Sequence, residues 1–299
     1  MIVAYGTTLA ILAGLAFGSF LNVCLSRWPT GESVVKPHSH CPKCGHVLAW
    51  WENIPLASWL ALRGRCRSCK SRISWRYPLV ELAVGILWGW QAWQFLSAAL
   101  NPHLPGLITA PAVVTLLGRM AFYWLLVALA LLDAEHLWLP NWLTWPGIAM
   151  GVLTRLTTAA ASRQLLPDMP TEPLRLLLTR EFLHALFAIV VAGGLVLAIR
   201  WTYRLLRGHE GMGLGDAKLM AVLGAWLGLS GALVAFALAV LIGALVALAL
   251  LAVPAVRRGP KAWTMIKLPF GTFLCVGGVV SAIWSQQLIS AYLRWIGLA

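Results

Sequence analysis

Only three aspartates occur in the 299-residue chain, and two of them adjoin apolar runs. Asp133 directly follows Trp124-Leu-Leu-Val-Ala-Leu-Ala-Leu-Leu132, and Asp216 ends Gly211-Met-Gly-Leu-Gly-Asp216 and opens another run. An aspartate at the centre of a membrane helix costs about 2.5–3.5 kcal/mol on insertion scales, and less toward the interface. Retaining two asks for a use beyond solvation at the interface. Adjoining carboxyls cannot easily both ionise, so such a pair shares a proton. The ionised member can take a proton from water while the protonated one donates to a peptide carbonyl and then to the leaving amine. That is aspartyl hydrolysis. Gly213 and Gly215 carry no side chain beside Asp216, which leaves room for an extended substrate backbone. The same two carboxyls would also suit a proton- or cation-coupled transporter, the reading from another class.

Four of the six cysteines form a second constellation, Cys41-Pro-Lys-Cys44 and Cys66-Arg-Ser-Cys69. Two CxxC turns can converge four thiolates into a tetrahedral cage, so the expectation is structural zinc with no open coordination position. A disulfide or redox use is the weaker reading, because a reducing compartment keeps thiols free and the segment is too short for a thioredoxin-like fold. His38, His40 and His46 lie nearby and read as exposed polar residues. Cys24 and Cys275 fall in apolar runs and read as small buried hydrophobes.

The composition says what must hold these groups. Sixty per cent of the residues are apolar and 11% charged, with mean hydropathy +0.79. A soluble domain carries about a quarter charged residues, so most of this chain has lipid as its solvent. Cytosolic enzymes, secreted disulfide scaffolds and disordered chains are excluded. Apolar windows long enough to cross about 30 Å of hydrocarbon recur near 3–25, 78–100, 112–132, 139–160, 182–203, 214–230, 232–253 and 268–293. The expected fold is an all-α polytopic membrane protein of about eight transmembrane helices. No basic residue precedes Arg27, so the first run reads as a retained helix rather than a cleaved signal.

The charge distribution sets the orientation. Net charge is +13, and fifteen Lys and Arg lie in one set of loops against four in the other. By the positive-inside rule, residues 26–77, with nine basic residues, face the cytoplasm and both termini lie outside. Asp133 and Asp216 then share the cytoplasmic face. The excess is a membrane signature, so no nucleic-acid partner is expected; anionic lipid headgroups are. Three parts follow: a first transmembrane helix (1–25), a cytoplasmic zinc-binding loop (26–77) and a helical bundle carrying the aspartates (78–299). The break between the sixth and seventh spans falls at Gly228-Leu-Ser-Gly231. Glycine pairs 14/18, 85/89, 147/151 and 224/228 read as close helix packing within the bundle. Residues 162–181, with Asp168, read as an outer loop.

Together these motifs resemble bacterial type IV prepilin peptidases, the GxGD class of intramembrane aspartyl protease. The matching stretches are Gly18-Ser-Phe-Leu-Asn-Val23 with Arg27 and Pro29, both CxxC pairs, Glu52-Asn-Ile-Pro55, Gly64-Arg-Cys66 and Tyr77-Pro-Leu-Val-Glu81. Leu132-Asp133, Leu139-Pro140, Gly213-Leu-Gly-Asp216-Ala-Lys218 and Pro269-Phe-Gly271 follow in order. Three positions depart from the usual pattern: Leu132 for Ile, Asn141 for Asp and Thr272 for Pro.

The resemblance implies that Asp133 and Asp216 are catalytic. It implies cleavage, after a Gly, of the basic leader of type IV prepilins or type II secretion pseudopilins at the bacterial inner membrane. It also implies N-methylation of the new N-terminal residue from S-adenosylmethionine, for which no cofactor-binding residue is identified. Helix ends suggest a division of labour. Asp216 opens a helix, which suits the ionised base, and Asp133 ends one after an apolar run, which suits the proton donor.

Overall fold

The computed structural model describes residues 1–100, 108–165, 173–208, 212–252 and 268–297. Asp168, Gly211, Arg257, Arg258, Lys261 and Lys267 lie outside them. Among the described residues the long elements are all helical: α1 (Ile2–Arg27), α3 (Arg76–Ala99), α4 (Ala110–His136), α5 (Asn141–Leu165), α6 (Leu174–Arg207), α7 (Leu214–Ala252) and α8 (Phe270–Trp295). A short helix, α2 (Ala57–Ala61), and a 3-10 turn (Trp50–Asn53) lie between α1 and α3. Among the described residues five helices are long and apolar enough to cross a membrane: α1, α4, α6, α7 and α8.

The two remaining long helices have the length but are more polar. α3 carries Gln91 and Gln94, and α5 carries Thr144, Thr154, Thr157 and Thr158. These threonine hydroxyls donate to carbonyls three or four residues back, Thr144 to Pro140 just before α5 and the others within the helix. The two runs expected either side of Gly228 form two helical segments within α7, joined at Gly228, whose backbone (φ 72°, ψ 179°) is not helical and is a conformation glycine adopts freely. Part of the expected outer loop at 162–181 is helical: α5 continues to Leu165 and α6 begins at Leu174.

The chain divides into two compact units, Met1–Ala128 and Leu129–Ala299. In the first, α1 packs along α3 through the expected glycines. A Cβ at Gly14 would lie 2.9 Å from the Gly85 Cα, and one at Gly18 would lie 2.7 Å from the Glu81 Cα. The backbones touch. Trp88 fills the space beside them, stacking near Phe17 and donating its indole N–H to the Met120 carbonyl at 2.8 Å.

In the second unit α7 is central, packed by α5, α6 and α8. Leu219, Met220, Val222 and Leu223 are fully buried on it. Gly224 lets α7 approach α6, since a Cβ there would meet the Ala188 carbonyl oxygen at 2.6 Å. The Gly147/Gly151 pair admits a side chain instead of a helix: Trp226 covers Gly151 and donates to the Gly147 carbonyl at 2.8 Å.

A side chain at Gly18 has no room to relax, because its obstacle is backbone. Gly18→Val is therefore expected to lower the thermal midpoint of the purified protein, by overpacking worth about 1–3 kcal/mol. Gly194→Val, where nothing lies within 4 Å, should shift it far less.

Candidate active site and metal centre

Within the second unit three helix ends meet around two carboxyls. Asp133 lies in the last turn of α4, and Leu137, with φ 50°, ends that helix in the left-handed conformation. Asp216 is the third residue of α7. Both are nearly sealed, at 6% and 8% exposure. Asp216 Oδ2 reaches back to accept the Gly213 N–H at 3.1 Å, one half of a capping box. Arg200 steadies this turn by donating to the Met212 carbonyl at 3.2 Å. Asp133 Oδ2 accepts the Thr272 N–H at 2.7 Å, from the first turn of α8. Gly271 makes that approach possible, since a Cβ there would stand 2.8 Å from Oδ2.

Sequence reasoning placed Asp133 at the end of its own helix but missed the helix it faces. The carboxyl caps the N-terminus of α8, so both acids sit at helix N-termini and helix ends no longer separate base from donor. Only the Phe270-Gly271 pair hinted at this. The glycines beside Asp216 also differ from each other. Around Gly213 the nearest atoms to an added Cβ are the Asp216 Oδ2 at 3.5 Å and Gly215 N at 3.8 Å, whereas Gly215 is covered by Leu139 at 3.0 Å. Gly215 therefore makes room for the Leu139-Pro140 turn. Asn141 accepts a hydrogen bond from Lys218 through its amide oxygen.

In the first unit the four cysteines converge, with all four sulfurs within 4.8 Å of one another. Cys41 and Cys69 stand 3.8 Å apart, and Cys44 and Cys66 4.0 Å, far too long for disulfides. A tetrahedron with Zn–S bonds of about 2.3 Å has edges of about 3.8 Å. The donor set fits zinc. The two knuckles repeat one hydrogen-bond pattern. Cys41 N donates to His46 O and Gly45 N to Cys41 O; Cys66 N donates to Ser71 O and Lys70 N to Cys66 O. Gly45 and Lys70 take the left-handed turn position, at φ 71° and 58°.

Thiol acidity is uneven around the cage. Hydrogen bonds from the Ser71 hydroxyl and amide pull Cys69 down to about 6. The Lys43 and Cys44 amides lower Cys41. The His46 amide also pulls on Cys44, but burial and its three thiol neighbours outweigh it and raise that group to about 11. Cys24 and Cys275 are buried, at 1% exposure each.

The remaining motif residues of this unit tie the loop to its helices. Asn22 donates to the Tyr77 carbonyl at 3.0 Å, and buried Arg27 donates to the Ser33 and Pro37 carbonyls at 2.8 and 2.7 Å. Glu81 accepts the Leu56 N–H at 2.8 Å. Glu52 accepts the Ala49 N–H at 2.8 Å and lies 3.2 Å from His46 Nε2, contacts that hold its carboxyl below the usual range. His46 is thus half-buried and partnered rather than a free exposed group, because the first knuckle turns its ring onto Glu52.

A multi-pass helical membrane protein with two buried aspartates and a four-cysteine centre is the class these features define. The chain belongs to the type IV leader peptidase family: residues 120–248 match that family, and residues 12–95 match the bacterial peptidase A24 N-terminal domain. It is similar to the prepilin leader peptidase/N-methyltransferase of Stutzerimonas stutzeri, at 33% identity over 97% of this chain and 94% of the relative. The proteins of that name from Pseudomonas aeruginosa (34%, covering 96% and 93%) and Burkholderia pseudomallei (35%, covering 91% and 83%) are similar too. No solved structure matches.

Metal binding requires thiolates, so zinc affinity should rise with pH. Below about pH 6, Cys69 as well as Cys44 must lose a proton on binding; above it Cys69 is already ionised. Log affinity, measured by competition with a chromophoric chelator, is expected to climb more steeply below pH 6 than between 7 and 8.

Proposed function

We propose that Asp133 and Asp216 are the catalytic pair with which this chain cleaves the leader of prepilins. Family membership carries the activity class, prepilin leader peptidase with N-methyltransferase activity, and lends the transporter alternative no support. The observation that carries the residue assignment is the convergence of the two acids. They lie 83 residues apart in sequence, yet Leu139, six residues after Asp133, covers Gly215 beside Asp216, and both acids are buried. In the reaction one carboxylate removes a proton from water, whose oxygen attacks the scissile carbonyl. The other carboxyl protonates the carbonyl oxygen and then the leaving amine. Gly213 offers the open face along which an extended substrate reaches them.

The finer reading of the membrane arrangement rests on charge and on the break at Gly228. Eight spans follow if α7 crosses twice and α3 and α5 also span, with the cysteine loop and both aspartates at the cytoplasmic face of the inner membrane. The division into a first helix (1–25), a loop (26–77) and a bundle (78–299) is kept as part of this proposal. Zinc is the metal that the four sulfurs suit, in a structural role. S-adenosylmethionine is the methyl donor that the relatives' name suggests. The basic loop favours anionic lipid headgroups, at about 1 kcal/mol per surface cation. Neither prepilins nor lipids call for nucleic acid as a partner.

Asp133→Asn and Asp216→Asn are each expected to lower leader cleavage of a purified prepilin by at least about 10³-fold, with the protein still folded. Cys44→Ser should lose bound zinc and loosen the loop while retaining more cleavage than either aspartate variant.

A further inference from the structure

Thr272 meets Asp133 twice. Its N–H lies 2.7 Å from Asp133 Oδ2, and its hydroxyl oxygen lies 3.3 Å from the same atom. That hydroxyl also lies 2.9 Å from the Ala130 carbonyl, one turn before Asp133 on α4. A hydroxyl has one proton to give and lone pairs to receive. The hydroxyl proton has two acceptors, the nearer Ala130 carbonyl and, when Asp133 is ionised, the more strongly accepting Oδ2. With its proton on Ala130, Oγ presents a lone pair toward Oδ2.

From this arrangement we infer that Thr272 is a positioning residue for Asp133, holding its Oδ2 in place in both protonation states. When Asp133 is ionised, the Thr272 N–H and hydroxyl both donate to Oδ2. When Oδ2 carries a proton, that proton is donated to Thr272 Oγ, whose own proton turns to the Ala130 carbonyl. Only the hydroxyl proton turns as the acid changes state, and no buried polar atom loses its partner, which would cost about 1–3 kcal/mol. Asp216 is held through one oxygen in the same manner, by the Gly213 N–H.

The residue type matters in a way that separates the two contacts. Valine keeps the shape and the N–H but has no hydroxyl. Serine keeps both donors. Proline removes both, yet it is tolerated in the first turn of a helix, where residue 272 lies.

The inference rests on Asp133 being one of the catalytic acids, and the test separates the two. The full-length protein in detergent, with a purified prepilin as substrate, is assayed as wild type, Thr272→Val, Thr272→Ser, Thr272→Pro and Asp133→Asn. Thr272→Val is expected to lower kcat about tenfold at unchanged KM, with Thr272→Ser restoring it and Thr272→Pro at least as slow as Val. In protein labelled with ¹³C at the aspartate carboxyls, the infrared band absent from Asp133→Asn should shift in Thr272→Val and return in Thr272→Ser. A merely structural role would not move that band reversibly. Wild-type kcat and an unmoved band in Thr272→Val, with Asp133→Asn inactive, would overturn the inference and leave the catalytic pair intact. Full activity in Asp133→Asn would instead overturn the catalytic reading on which it stands.

Discussion

A carboxyl set among apolar helices must find hydrogen-bond donors that the lipid cannot offer. In this chain backbone N–H groups at helix starts supply them. Asp216 takes the amide of Gly213 at the start of α7, and Asp133 takes that of Thr272 at the start of α8. The first turn of a helix leaves its amides without partners inside the helix, and the acids take two of them, although the Thr272 amide also reaches the Pro269 carbonyl at 3.2 Å. This constraint dictates much of the second unit. α8 must begin beside the end of α4, Gly271 must lack a side chain, and Gly215 must leave room for Leu139. The close packing of α6 on α7 at Gly224 holds the framework in which those starts line up.

The first unit solves a different problem by the same means. A short polar loop has little core, so its order comes from two repeated cysteine knuckles and from side chains reaching out of the helices. Asn22, Arg27 and Glu81 leave the α1 and α3 surfaces to bond loop or helix-entry backbone, and each is buried as it does so. The extended motif around the cysteines is therefore mostly architecture. Four sulfurs at tetrahedral spacing form its centre, and polar clamps fix the centre to the paired helices.

Much of this was legible in the sequence, and the gaps have physical causes. Apolar windows located the helices because length and hydropathy are local properties. The cysteine cage was legible because CxxC turns impose their own geometry. The glycine pairs marked the α1–α3 contact, since only small residues permit backbone touching. What the sequence did not display was any relation set by tertiary approach. The amide that Asp133 accepts belongs to a residue 139 positions away, and nothing local to Asp133 announces it. His46 read as exposed because its partner, Glu52, is brought to it only when the knuckle folds. The break at Gly228 was legible because a glycine there can take a backbone conformation that interrupts a helix.

The central claim is that Asp133 and Asp216 act as one pair rather than as two independent aids to cleavage. Residues that act as a unit lose their contributions together, so their effects do not multiply. The direct measurement is the residual rate of leader release, quantified by mass spectrometry, for Asp133→Asn, Asp216→Asn and the double variant. The account predicts that the double variant is no slower than the slower single one, within about twofold. A double variant slowed by the product of the two single losses would show two acids working separately and would contradict it.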